Sequence, residues 1–136
     1  MATTTASLTL SSSDLTSDAL SLTKTATLTA AGSSSTGLSQ TSGVSRRKYN
    51  ADPAVANIIA ESDDYTSDRA HKIYLFNTST TSTEYFIVKV GTQVVGRIYA
   101  GDWLFMPWSG SADVTVTPSE AGSDMIIEFS IFQDEQ

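Results

Sequence analysis

Few residues in this 136-residue chain carry groups that do chemistry at neutral pH. The single histidine, His71, sits beside Lys72 at the start of a segment that reads as a strand. Serine is abundant, but no G-x-S-x-G elbow presents one as a nucleophile, and one imidazole among many hydroxyls does not make a triad. His71 therefore reads as a structural or surface residue. There are no cysteines, which removes thiolate chemistry, thiolate metal sites and disulfides. Asp63, Asp64 and Asp68 group three carboxylates that oxygen-loving calcium would accept. They lack the glycine and the closing bidentate glutamate of a calcium loop, so a solvated acidic loop is expected. Gly91, Gly96, Gly101 and Gly110 are spaced as turn and bulge residues rather than as a phosphate cradle. Asn77-Thr78-Ser79 matches a glycosylation sequon, read here as part of a hydroxyl-rich turn. The expectation is a protein that is not an enzyme and has no catalytic residue, no metal and no cofactor.

Two other features point to binding instead. Arg46-Arg47-Lys48 concentrates positive charge in a chain of net charge −7, fitting either a solubilising linker or an anchor on an acidic surface. Residues 103–108, WLFMPW, hold two tryptophans, a phenylalanine and a methionine in six positions. Alternate residues of a strand point to opposite faces, so this segment overloads both. One tryptophan is expected in the core and one at an interface: Trp103 inside, and Trp108, beside Ser109-Gly110, outside. Tryptophan is also a stacking platform for sugars, which keeps a small carbohydrate-binding module open. The C-terminal segment is overloaded in the same way, with Ile126, Ile127, Phe129, Ile131 and Phe132 apolar on both faces. Sheets of that kind lie between layers or between subunits. The candidate interface residues are thus Arg46, Arg47, Lys48, Trp108 and Phe132.

The elements that must hold these residues follow from periodicity. All twelve aromatics lie from Tyr49 onward, whereas residues 1–45 hold 23 serines and threonines, three charges and no aromatic. The chain thus divides into a Ser/Thr-rich arm with its linker, 1–48, and a core-forming domain, 49–136. Within the arm, Ala6, Leu8 and Leu10, then Leu20, Leu22, Ala26 and Leu28, alternate with hydroxyl residues in the two-residue phase of half-buried strands. The segment SSSDLTSD between them is turn chemistry. With no bulky side chain, the arm needs something else to cover its apolar face. Residues 31–48 read as a Gly/Ser-rich connection. Asp52-Pro53 before AVANIIAE opens a short helix by capping logic, against the β-branched Val55, Ile58 and Ile59. From residue 70 strands are expected near 73–76, 85–90, 94–99, 103–108, 113–117 and 125–132. Short turns separate them and no helix intervenes. That spacing implies antiparallel pairing in a β-sandwich or small barrel, of jelly-roll or immunoglobulin-like type.

Net charge −7 argues against nucleic acid as a partner, since phosphate backbones repel it. No run approaches the ~20 apolar residues of a membrane span, and the first residues lack the basic start and apolar run of a signal peptide.

The combined pattern resembles that of a known family. TTASLTLSSSDLTSDALSLTKTATLTAAG, TGLSQTSGVSRRKY and KIYLFNTSTTSTEYFIVKVG, with VVGRIYAGDWLFMPWSG, VTVTPSEA and IIEFSIF, resemble small virion structural proteins of tailed bacteriophages. Those of cyanobacterium-infecting phages are the most similar, and the resemblance covers nearly the whole chain. It implies a component of the virion, made in host cytoplasm: a capsid decoration (cement) protein, or an accessory of tail or fibre. Its partners would be the major capsid or tail protein and further copies of itself. The resemblance brings no catalytic residues with it.

Overall fold

A computed structural model describes residues 4–15, 17–28, 40–41, 43–49, 57–120 and 125–134. Among them there is no α-helix, only a 3₁₀ turn at Ser62–Asp64, and no helix long and apolar enough to cross a membrane. In chain order the strands are β1 (Thr4–Ser12), β2 (Leu20–Leu28), β3 (Gln40–Thr41), β4 (Ser45–Lys48), β5 (Asn57–Ala60), β6 (His71–Asn77) and β7 (Tyr85–Val90). They continue with β8 (Gln93–Tyr99), β9 (Trp103–Trp108), β10 (Val114–Pro118) and β11 (Ile126–Gln133).

All pairings are antiparallel and form three sheets. One is four-stranded in the order β5-β10-β7-β8; a second runs β3-β11-β6-β9, with β4 also pairing β11. These two face each other across a single core. From the five-stranded sheet come Ile73, Leu75, Ile127, Phe129 and Ile131, and from the other Ile59, Phe86, Val88, Ile98, Val114 and Val116. The strict alternation in β6 shows how the sequence drives this: His71, Ile73, Leu75 and Asn77 are buried, while Lys72, Tyr74 and Phe76 between them are half-buried. The molecule is the antiparallel β-sandwich expected from the strand spacing.

The chain crosses from one sheet to the other between β8 and β9, and buried Asn77 holds that corner. Its side-chain amide donates to the carbonyls of Ile98 (3.1 Å) and Glu84 (3.3 Å), and its Oδ1 accepts from the Ser79 N–H (3.0 Å). Its backbone N–H donates to Asp102 O, and its carbonyl accepts from the Gly101 N–H. Gly101, at φ 82°, takes the left-handed conformation that this tight turn requires.

The third sheet is the hairpin β1-β2, paired over its whole length from Thr4↔Leu28 to Ser12↔Leu20. Register and alternation together sort its side chains. Thr5, Ser7, Thr9 and Ser11 share a face with Ser21, Thr23, Thr25 and Thr27, and the Ser7 and Thr25 hydroxyls lie 3.0 Å apart. Ala6, Leu8, Leu10, Leu20, Leu22, Ala26 and Leu28 share the other, interrupted by Lys24 and ended by Thr4 and Ser12.

Two expectations are corrected. Residues 57–60, placed at the end of a helix, form strand β5: β-branched Ile58 and Ile59 favour the pleated surface of the sheet that covers them. The capping residues Asp52 and Pro53 lie outside the described residues. The basic triplet, placed in the linker, forms β4 and pairs with β11, so the sandwich begins before residue 49. Among the described strands, only those of the hairpin stand outside the two packed sheets.

Candidate interaction surface

Of the candidate residues, the outer face of the five-stranded sheet gathers Arg46, Lys48 and Phe132, whereas Arg47 and Trp108 turn inward. In β9 the register with β6 sets Leu104 opposite Leu75, Met106 opposite Ile73 and Trp108 opposite His71, all toward the core. Trp103, Phe105 and Pro107 therefore point outward, opposite Phe76, Tyr74 and Lys72. On β11, Ile126, Glu128, Ser130 and Phe132 take the same outward side.

This reverses the expected burial of the two tryptophans. Trp108 is 4% exposed, and its indole N–H donates to the Ala112 carbonyl at 2.8 Å. Its ring meets Tyr65 edge-on, with centroids 4.9 Å apart. Trp103 is 55% exposed. A loop neighbour such as Ser109 says little about burial; the phase of the strand decides it.

Each basic residue has a different fate because β4 alternates. Arg46 points outward, and its Nε donates to Glu128 Oε2 at 2.8 Å. The Tyr74 hydroxyl donates to the other oxygen of the same carboxylate at 3.1 Å. The Arg46 hydrogen bond holds the Glu128 carboxyl below the usual glutamate range; burial raises the Tyr74 hydroxyl, with Glu128 adding to the rise. Arg47 points inward at the sheet edge, with its guanidinium over the rings of Tyr49 (5.8 Å) and Phe129 (5.9 Å) and Nη1 donating to the Ile58 carbonyl at 3.3 Å. Lys48 returns to the outer face and is exposed. The triplet is thus no continuous basic anchor. Phe132 is half-buried on the outer face, its ring T-shaped against Phe105 at 6.3 Å.

The hairpin leans on this surface with its apolar side. Ala6, Leu8, Lys24, Ala26 and Leu28 wall one side of a groove of about 560 Å³, with Ser7, and Tyr74, Trp103 and Phe105 wall the other. A two-stranded ribbon is marginal in water unless it packs on something, and this face supplies the support. The cover is partial: Leu8 is 36% exposed, Leu10 44%, Leu20 38%, and Leu15 at the turn 73%. Sequence reasoning marked the apolar residues of the hairpin and the segment 103–108 but passed over Tyr74 and did not join the two surfaces. The available signal was β6, whose Tyr74 and Phe76 interleave with Ile73 and Leu75, so that it is apolar on both sides like β9 and β11.

His71 is fully buried. Its Nδ1 accepts from the Asp134 backbone N–H at 3.0 Å, so the Nε2 proton is donated to the Thr66 carbonyl at 2.8 Å. Both ring nitrogens are occupied by backbone, and the ring packs near Trp108 and Tyr65. Asp63 and Asp64 lie in the 3₁₀ turn, and Asp68 takes the left-handed conformation at φ 60°. Among the described residues, no group of three or more His, Asp or Glu side chains is placed to hold a metal ion. Comparison with protein-family models, with curated proteins and with solved structures returned no match.

Proposed function

We propose that this chain is a structural protein of a bacteriophage virion, a capsid decoration protein that stabilises the head shell and does no catalysis. The observation that carries the reading is the incomplete apolar surface. A hairpin with one mostly apolar face, interrupted by Lys24, lies over an aromatic sheet face, and leucines of the one and a tryptophan of the other stay in contact with water. Apolar surface of this kind, rimmed by polar residues, marks a site that another protein covers. Repeated copies on a symmetric shell allow each such contact to be weak. The sequence resemblance to small virion proteins points the same way. The groove favours a protein over a sugar, because its walls supply few directional hydrogen-bonding groups besides Ser7, Lys24 and the Tyr74 hydroxyl, which is already bonded to Glu128.

The test is the copy number of the chain in purified particles, by quantitative mass spectrometry, with add-back of recombinant protein to particles lacking it. Decoration requires on the order of hundreds of copies per particle, as shell symmetry dictates, and greater resistance of the particle to heat after add-back. A handful of copies would move the protein to the tail, and its absence from particles would end the virion reading.

A further inference from the structure

The hairpin's apolar face is longer than the surface beneath it. The groove is walled by Leu8 and Leu28 but not by Leu10, Leu20 or Leu22, which lie toward the turn. Leu10 and Leu20, with Leu15 beyond them, are among the exposed large hydrophobics of the molecule, as is Trp103 in the groove. One chain thus carries both an unfilled apolar groove and an uncovered apolar ribbon end, and they are separate places on the same surface.

We propose that the occupant of the groove is a second copy of this chain: two copies exchange hairpin ends about a two-fold axis, each laying its distal leucines against Trp103 and Phe105 of the other. Three observations support this occupant. The first is volume. An apolar cavity of ~150 Å³ already accommodates a benzene-sized group, so an open groove of about 560 Å³ has room for more than one leucine side chain beside Trp103.

The second is charge. The turn of the hairpin carries Asp14 and Asp18, whereas the outer sheet face carries Arg46, Lys48 and Lys72 against Glu128, which pairs with Arg46, and the nearby Asp134. Lys24 adds a further positive charge beside the groove. In a chain of net charge −7, this face is a place where an acidic tip is attracted rather than repelled. The third is reach. Eleven residues, 29–39, join the end of β2 to the start of β3, a chain length that spans up to about 35–40 Å. The hairpin can therefore extend past the edge of its own sheet without disturbing β3. The two-fold arrangement makes each contact reciprocal, which satisfies both ends of both chains.

The inference concerns the isolated chain and stands apart from the virion reading, so it is tested without particles. The native sequence has no cysteine, which allows single thiols to report contacts. A tagged Leu10→Cys chain is mixed with an untagged Pro107→Cys chain, whose thiol lies on the outer face beside the groove, and oxidised. Val94→Cys on β8 of the opposite sheet, where Val94 is 60% exposed, serves as the control partner. The expected result is Leu10–Pro107 heterodimer forming at least about tenfold faster than Leu10–Val94 heterodimer, through the effective concentration that docking creates. In sedimentation equilibrium the wild type should pass from monomer toward dimer between about 1 and 500 μM, the weak range suited to a small interface. Leu10→Glu should weaken that association about tenfold or more. Leu10 is already exposed, so the folded core is unaffected, as an unchanged urea-unfolding midpoint by far-UV circular dichroism verifies. A wild type that stays monomeric over the whole range overturns the proposal and leaves the groove to a different protein. Equal cross-linking to Pro107 and Val94 overturns it as well.

Discussion

Replacing the two tryptophans of β9 one at a time separates core from surface. Trp108 is 4% exposed, and truncating a buried tryptophan to alanine costs about 3–5 kcal/mol through lost transfer energy and the cavity left behind. Its indole N–H bond to Ala112 O and its edge-on contact with Tyr65 each add about 1 kcal/mol, though neighbouring terms do not sum fully. A loss of about 4–5 kcal/mol is expected for Trp108→Ala. Against a total of about 5–15 kcal/mol for a domain of this size, that leaves the fold marginal or lost. Trp103, 55% exposed, has less than half its surface to lose, so Trp103→Ala should change stability by at most about 1 kcal/mol. The assay is urea unfolding followed by far-UV circular dichroism, which does not depend on the residue removed. Trp108→Phe, which keeps most of the volume, covers the case in which the alanine variant does not fold, with an expected loss of about 1–3 kcal/mol. Comparable large losses at Trp103 and Trp108 would refute the assignment of faces on β9.

Further outcomes follow from single contacts. Asn77→Ala strands the buried carbonyl of Ile98 and the Ser79 N–H, and should lower stability by about 2–4 kcal/mol in the same unfolding assay. Gly110→Ala should be far more damaging than Gly101→Ala in thermal melts. Both sites have positive φ, at a cost of about 1 kcal/mol for alanine, but a Cβ at Gly110 would lie 2.7 Å from Thr66 O and 3.1 Å from His71 Cδ2, whereas Gly101 has open space. Glu128 has a carboxyl held below its ordinary range, so its contribution to stability is present above the unfolded-state glutamate pKa and fades as pH falls through the folded-state value. Glu128→Gln should therefore flatten the acid side of the stability–pH curve, and an unchanged acid limb would show that the Arg46 and Tyr74 contacts do not matter to folding.

The strands from β6 onward were legible because their side chains alternate and glycine or Ser/Thr-rich turns separate them; no tertiary information is needed to set that period. The phase of the hairpin strands was equally plain, because every second residue of β1 and β2 is a hydroxyl on one side and mostly apolar on the other. Which face of a doubly apolar strand turns inward is a different matter. Trp103 and Trp108 belong to faces of similar hydrophobicity, and only the pairing of β9 with β6 puts Trp108 opposite buried His71 and leaves Trp103 outside. Polar Ser45–Lys48 carries no strand signal of its own, yet β11 offers an unpaired edge, and backbone hydrogen bonding recruits whichever segment lies beside it. Asn57–Ala60, with β-branched Ile58 and Ile59, takes the edge of β10. Local pattern thus determined the period and class of the elements. Tertiary structure decided inside from outside, because that depends on which neighbour each strand finds.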